Sequence, residues 1–115
     1  MFSEALYQKV LKFRVDRDWE QFHTLRTLST SLVLETAELA EITQWARDSE
    51  LEEVTRQRRP QIKQEIADIV ILLTYLVHDL GVDLEQAVEA KLLSNAERYP
   101  VDRARGSAKK YDQLD

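Results

Sequence analysis

The chain has 115 residues, 43% of them hydrophobic and 32% charged, a globular balance in a length suited to one domain. Two Gly and two Pro are too few for a turn-rich β fold and suit a few long helices. Cysteine is absent, so any metal must be held by oxygen or imidazole. A net charge of −5 argues against binding nucleic acid through its phosphates.

The first residues, Met-Phe-Ser-Glu-Ala, carry no basic or apolar leader region. The longest apolar run, Ile69 to Val77 with Thr74 inside it, is too short for a bilayer. These features predict a cytoplasmic protein without a membrane partner. A first helix is expected from an N-cap at Ser3 to about Asp18, with Leu6, Val10 and Phe13 on one face. Trp19 to Arg26 reads as a loop.

The second helix is expected from about Thr27 to Arg47. Its stripe, Leu28, Leu32, Glu35, Leu39 and Ile42, follows helical spacing with a carboxylate inside it. A short helix should follow Ser49, with Ser49 and Glu52 as a capping box. Pro60 suits the start of a third helix that stops at Gly81. Its stripe is Ile62, Ile66, Ile69, Leu73, Leu76 and Leu80. From Ile69 to Val77 it is apolar nearly all round, so it should be the central, most buried helix. Asp83 and Gln86 can cap a fourth helix, Leu84 to Tyr99. A polar tail beginning at Val101 is expected to be ordered by ligand or partner. The predicted architecture is an all-α, four-helix-bundle-like single domain over 1–115. It is expected to assemble as a dimer or a dimer of dimers, because one chain has too few helices to cover the third on every side.

Two acidic pairs stand out, Glu35 with Glu38 and Glu65 with Asp68. Each has i, i+3 spacing and projects from one side of a helix. Like charges repel, and burial raises the cost of keeping them ionised; a cation in the gap offsets both. Hard oxygen ligands suit Mg²⁺, with Mn²⁺ as a substitute. A solvated acidic face would explain Glu38 and Glu41 alone, but not Glu35, which interrupts an apolar stripe. Lys91, Asn95 and Arg98 form one polar, cationic face at i, i+4, i+7, and with Lys109, Lys110 and Tyr111 can hold phosphate oxygens. Trp19, Phe22, His23 and Trp45 are candidates for a nucleobase pocket. Trp45 follows Glu38 by two helical turns on the same face. There is no P-loop, dinucleotide glycine turn or G-x-S-x-G.

Glu35-x-x-Glu38 followed by Glu65-x-x-Asp68 resembles the signature of the MazG-type all-α nucleoside triphosphate pyrophosphohydrolases. Asp18-Trp19-Glu20-Gln21-Phe22-His23, the stretch Glu38 to Trp45, Asn95 to Pro100 and the tail Ser107 to Tyr111 resemble the single-domain branch that includes the dCTP pyrophosphatases. The resemblance implies hydrolysis between the α and β phosphates of a (deoxy)nucleoside triphosphate, giving monophosphate and pyrophosphate. It implies Glu35, Glu38, Glu65 and Asp68 as Mg²⁺ ligands, with Glu38 or another carboxylate as general base. It makes Lys91, Asn95, Arg98, Tyr99 and Lys110 phosphate contacts, with Trp19 and Trp45 bounding the base, and it implies a homo-oligomer. Leu72 and Val10 stand where that branch has Tyr and His, which leaves the preferred base open. Two rival readings are a helical interaction module without turnover and a carboxylate-bridged di-iron bundle. The second needs two Glu-x-x-His motifs. The only match, Glu20-x-x-His23, falls in the expected loop.

Overall fold

The computed structural model describes residues 2–114. Every regular element among them is helical: α1 Glu4–Asp16, α2 Leu25–Glu41, α3 Leu51–Gln57, α4 Arg59–Leu80, α5 Leu84–Arg98 and α6 Val101–Ala104. None is long and apolar enough to cross a membrane. The chain divides into two compact units, Met1–Leu80 and Gly81–Asp115.

In the first unit α4 is the element the others share. It packs chiefly on α2 and also on α1 and α3. No residue from Ile69 to Val77 is exposed, and Thr74 and Tyr75 are buried. The expected central position of this run holds. Thr74 returns its hydroxyl hydrogen to the Val70 carbonyl at 2.7 Å, which makes it tolerable inside. Leu28 of α2 is the most enclosed apolar side chain among the described residues, at 2% exposure. The rest of the α2 stripe, Leu32, Leu39 and Ile42, is half-buried around Glu35.

The helix starts follow from capping chemistry. Ser3 accepts the Leu6 amide at 3.2 Å, as expected. Thr24 and Thr27 bond reciprocally, Thr27 N to Thr24 Oγ1 at 3.1 Å and Thr24 N to Thr27 Oγ1 at 2.8 Å. This box starts α2 at Leu25, and the preceding expected loop contains a 3-10 turn, Glu20–Phe22.

Three expected boundaries need correction. Helix α2 ends at Glu41, not Arg47. Beyond it the chain tightens into i→i+3 turns, with Thr43 N to Ala40 O at 3.3 Å and Gln44 N to Glu41 O at 3.4 Å. The β-branched Ile42 and Thr43 followed by bulky Trp45 are poor helix formers. The Ser49–Glu52 box does not form. Glu50 Oε1 instead accepts the Arg47 amide at 3.2 Å, making a 3-10 turn ahead of α3. Helix α1 stops at Asp16, and Asp18 takes a left-handed φ of 53°.

The second unit begins at Gly81, whose φ of 63° suits the glycine after a helix. Asp83 Oδ1 accepts the Gln86 amide at 3.1 Å and opens α5. The tail is not featureless: α6 follows Pro100, and a 3-10 turn spans Tyr111–Gln113.

Candidate metal centre

Glu35 and Glu38 lie one turn apart on α2, and Glu65 and Asp68 one turn apart on α4. Because these two helices make the main packing contact of the unit, their acidic sides meet. Glu35, Glu38 and Glu65 each bring a carboxylate oxygen to within 4.8 Å of the others. Asp68 stands outside this set of three. It borders the same cavity as Glu35.

Glu35 Oε2 and Glu65 Oε2 are buried with no hydrogen-bond partner among the described residues. A buried carboxylate oxygen without a donor is costly, so this arrangement calls for a cation or a proton. Burial pushes the Glu35 carboxyl above its ordinary value, and the negative charges of Glu38 and Asp68 add to the effect. Burial, followed by the Glu38 charge, pushes Glu65 up to about 7. No Lys or Arg makes an ion pair with any of the four acids among the described residues. Three oxygen donors with two orphaned oxygens fit a hard divalent cation.

Two openings flank the cluster. The larger, about 460 Å³, is walled mainly by α1, α2 and α4, and Trp19, His23, Glu35 and Asp68 all line it. Val10 and Leu72 both line it, together with Phe13 and Tyr75, so its wall is largely apolar and aromatic. The second is polar and includes Glu38, Glu65 and Arg58.

Of the expected aromatic contacts, Trp19 and His23 enter the larger cavity and Phe22 does not. Trp45 is 87% exposed and borders neither opening. The shared helical face with Glu38 is lost because α2 has already ended. In the second unit, Arg98 Cζ lies 5.0 Å from the Tyr111 ring centre, and Tyr99 meets Tyr111 edge-on at 6.2 Å. Lys91 is exposed on α5, Asn95 is half-buried, and Lys109 and Lys110 are exposed before the last 3-10 turn.

Sequence reasoning missed Lys9, Phe13 and Tyr75 in the cavity wall, Arg58 beside Glu65, and an ion pair beside His23 whose arginine is buried. In that pair Arg14 Nη1 and Nη2 donate to Asp79 Oδ2 and Oδ1 at 2.9 and 2.5 Å, with Arg14 only 2% exposed. A signal for Arg14 existed. It follows Val10 by four residues on the apolar face of α1, much as Glu35 interrupts α2.

An all-α unit with a carboxylate cluster beside an aromatic-walled cavity is the arrangement that a relative has to match. The MazG-like family profile matches residues 30–114, and the chain belongs to this family. It is 44% identical over 105 residues to dCTP pyrophosphatase 1 of Mus musculus and 41% identical to that of Homo sapiens. Each alignment covers 90% of this chain but 62% of the relative, so the chain spans under two thirds of their length. A crystal structure of a pyrophosphatase from Archaeoglobus fulgidus superposes with a TM-score of 0.80 at 37% identity, covering 84% of this chain and 91% of that one.

Proposed function

We propose that the protein hydrolyses (deoxy)nucleoside triphosphates to monophosphate and pyrophosphate with Mg²⁺, in cytoplasmic cleansing of the nucleotide pool. The observation that carries this reading is the cluster of Glu35, Glu38 and Glu65, with two orphaned buried oxygens, opening onto a cavity of the right chemistry for a base. The relatives named dCTP pyrophosphatase 1 and the similar archaeal pyrophosphatase support a nucleoside triphosphate pyrophosphohydrolase.

Glu35, Glu38 and Glu65 would hold Mg²⁺, joined by Asp68 from the cavity side; Mn²⁺ can replace it. When bound, the metal supplies charge neutralisation at phosphate oxygens and a more acidic water. Glu38, the exposed member, is best placed to take a proton from an attacking water as general base. Trp19 and His23 receive the base. Lys91, Asn95, Arg98, Tyr99, Lys110 and Tyr111 supply phosphate contacts, and Arg98 and Tyr99 are already gathered around Tyr111. Trp45, exposed here, would reach a base only within a homo-oligomer.

The test is pyrophosphate release from a panel of (d)NTPs with and without Mg²⁺. Turnover that requires Mg²⁺ and fails in Glu38→Gln supports the reading. An inactive wild-type protein across the whole panel would leave a helical interaction module as the better account.

A further inference from the structure

His23 touches both the cavity and the half-buried Arg14–Asp79 pair. His23 borders the cavity and Arg14 does not; both border a separate polar opening with Glu20, His78 and Asp79. Arg14 Nη1 lies 3.2 Å from His23 Nδ1. A guanidinium has donors only and keeps its proton at any ordinary pH. Nδ1 must therefore accept, and a neutral ring then carries its proton on Nε2. A doubly protonated ring would oppose two donors and place two positive charges side by side.

The neighbours hold this arrangement. Asp79 grips both terminal nitrogens of Arg14, fixing the direction of the remaining Nη1 hydrogen. The Tyr75 ring lies under both groups, 5.2 Å from the His23 ring centre and 4.5 Å from Arg14 Cζ. Its hydroxyl hydrogen is committed to the Val10 carbonyl at 2.9 Å, so it cannot donate to His23 Nδ1 in place of Arg14. The charged groups facing the imidazole are Arg14 from α1, Asp79 from α4 and Glu20 from its own turn. Burial and then Arg14 lower its proton affinity, while Asp79 and Glu20 oppose them. Nε2 bonds to no described residue, yet it is not among the sealed, unpartnered polar atoms. It is therefore not sealed, in a residue that borders both the larger cavity and the polar opening of Glu20, His78 and Asp79.

We propose that Arg14 and Asp79 are positioning residues that hold His23 as its Nε2–H tautomer, presenting a hydrogen-bond donor to the nucleobase in the cavity. The matching group on the base is an acceptor, a ring carbonyl oxygen or an unprotonated ring nitrogen. The tautomer stands on the contacts alone; the identity of the ligand rests on the nucleotide reading above.

Nitrogen NMR of protein labelled at histidine tests the first half at neutral pH, with His23→Asn separating His23 from His78. The expected spectrum shows His23 with bare Nδ1 and protonated Nε2, and Asp79→Asn turns this into a mixture of tautomers. A proton on Nδ1 in the wild type, or on both nitrogens, overturns the proposal. The second half is read with dCTP and Mg²⁺. His23→Asn should raise KM by about five- to tenfold, the worth of one neutral hydrogen bond, and affect kcat less. His23→Gln, whose amide nitrogen lies near the position of Nε2, should recover part of the loss. Deoxyribose 5-triphosphate, which has no base, should be insensitive to His23→Asn. An equal loss with both compounds overturns base recognition. If the wild type hydrolyses no nucleotide, the functional reading fails and base recognition falls with it, while the NMR result still decides the tautomer.

Discussion

Glu65 and Glu35 show how a site can be encoded as an instability. A carboxyl held above its unfolded value binds its proton more tightly in the folded state, so its stabilising effect is present at low pH and is lost as pH rises. For Glu65 the window runs from the ordinary carboxylate range to about 7. The cation-free protein should therefore melt at progressively lower temperature across this window. Millimolar Mg²⁺ should reverse the trend above it by binding the folded state. Thermal scans with EDTA and with Mg²⁺ check both. A cation-free melting temperature that climbs over this window would contradict the assignment. At Asp79 the sign is opposite. Arg14 holds its carboxyl below the usual range, so its contribution is present above the unfolded value and is lost in acid. Asp79→Ala leaves the enclosed Arg14 charge uncompensated and should cost at least about 2 kcal/mol in urea unfolding.

At the scale of elements, α4 carries the fold, and its packing against α2 brings the acids together. Leu28→Ala, at the most enclosed point of α2, should destabilise by about 2–5 kcal/mol. Gly81→Ala should cost about 1 kcal/mol, all of it from the backbone. The φ of 63° disfavours a side chain, but a Cβ there would meet nothing within 4 Å. Denaturant midpoints separate the two effects. These helices were legible in the sequence because periodicity, caps and the terminal glycine agree. Glu35 and Glu65 were legible because a carboxylate in or beside an apolar stripe demands an explanation. The end of α2 was not, because the apolar pattern runs through Ile42 while packing and propensity stop the helix at Glu41. Trp45 was misplaced for that reason. Lys9, Tyr75 and Arg58 reach the openings only through the packing of distant segments, which no local pattern records.

Several large apolar side chains among the described residues are uncovered. Val33 and Leu34 on α2 are 65% and 60% exposed, and Leu92 and Leu93 on α5 are 62% and 72% exposed. On α2, whose other face packs against α4, such an adjacent pair is the surface that a contact with another chain would cover. A homo-oligomer, a dimer or a dimer of dimers, is the expected state. Light scattering at micromolar concentration should find no monomer, and Leu34→Glu should shift the distribution downwards. A monodisperse, active monomer would contradict the assembly and leave the metal centre standing.

The central claim, that the α2–α4 carboxylates direct cleavage between the α and β phosphates, is tested most directly by phosphorus NMR of a dCTP reaction with Mg²⁺. The account predicts monophosphate and pyrophosphate as the only products, with Glu38→Gln slower by at least about 100-fold. Diphosphate with orthophosphate, or a fully active Glu38→Gln, would contradict it.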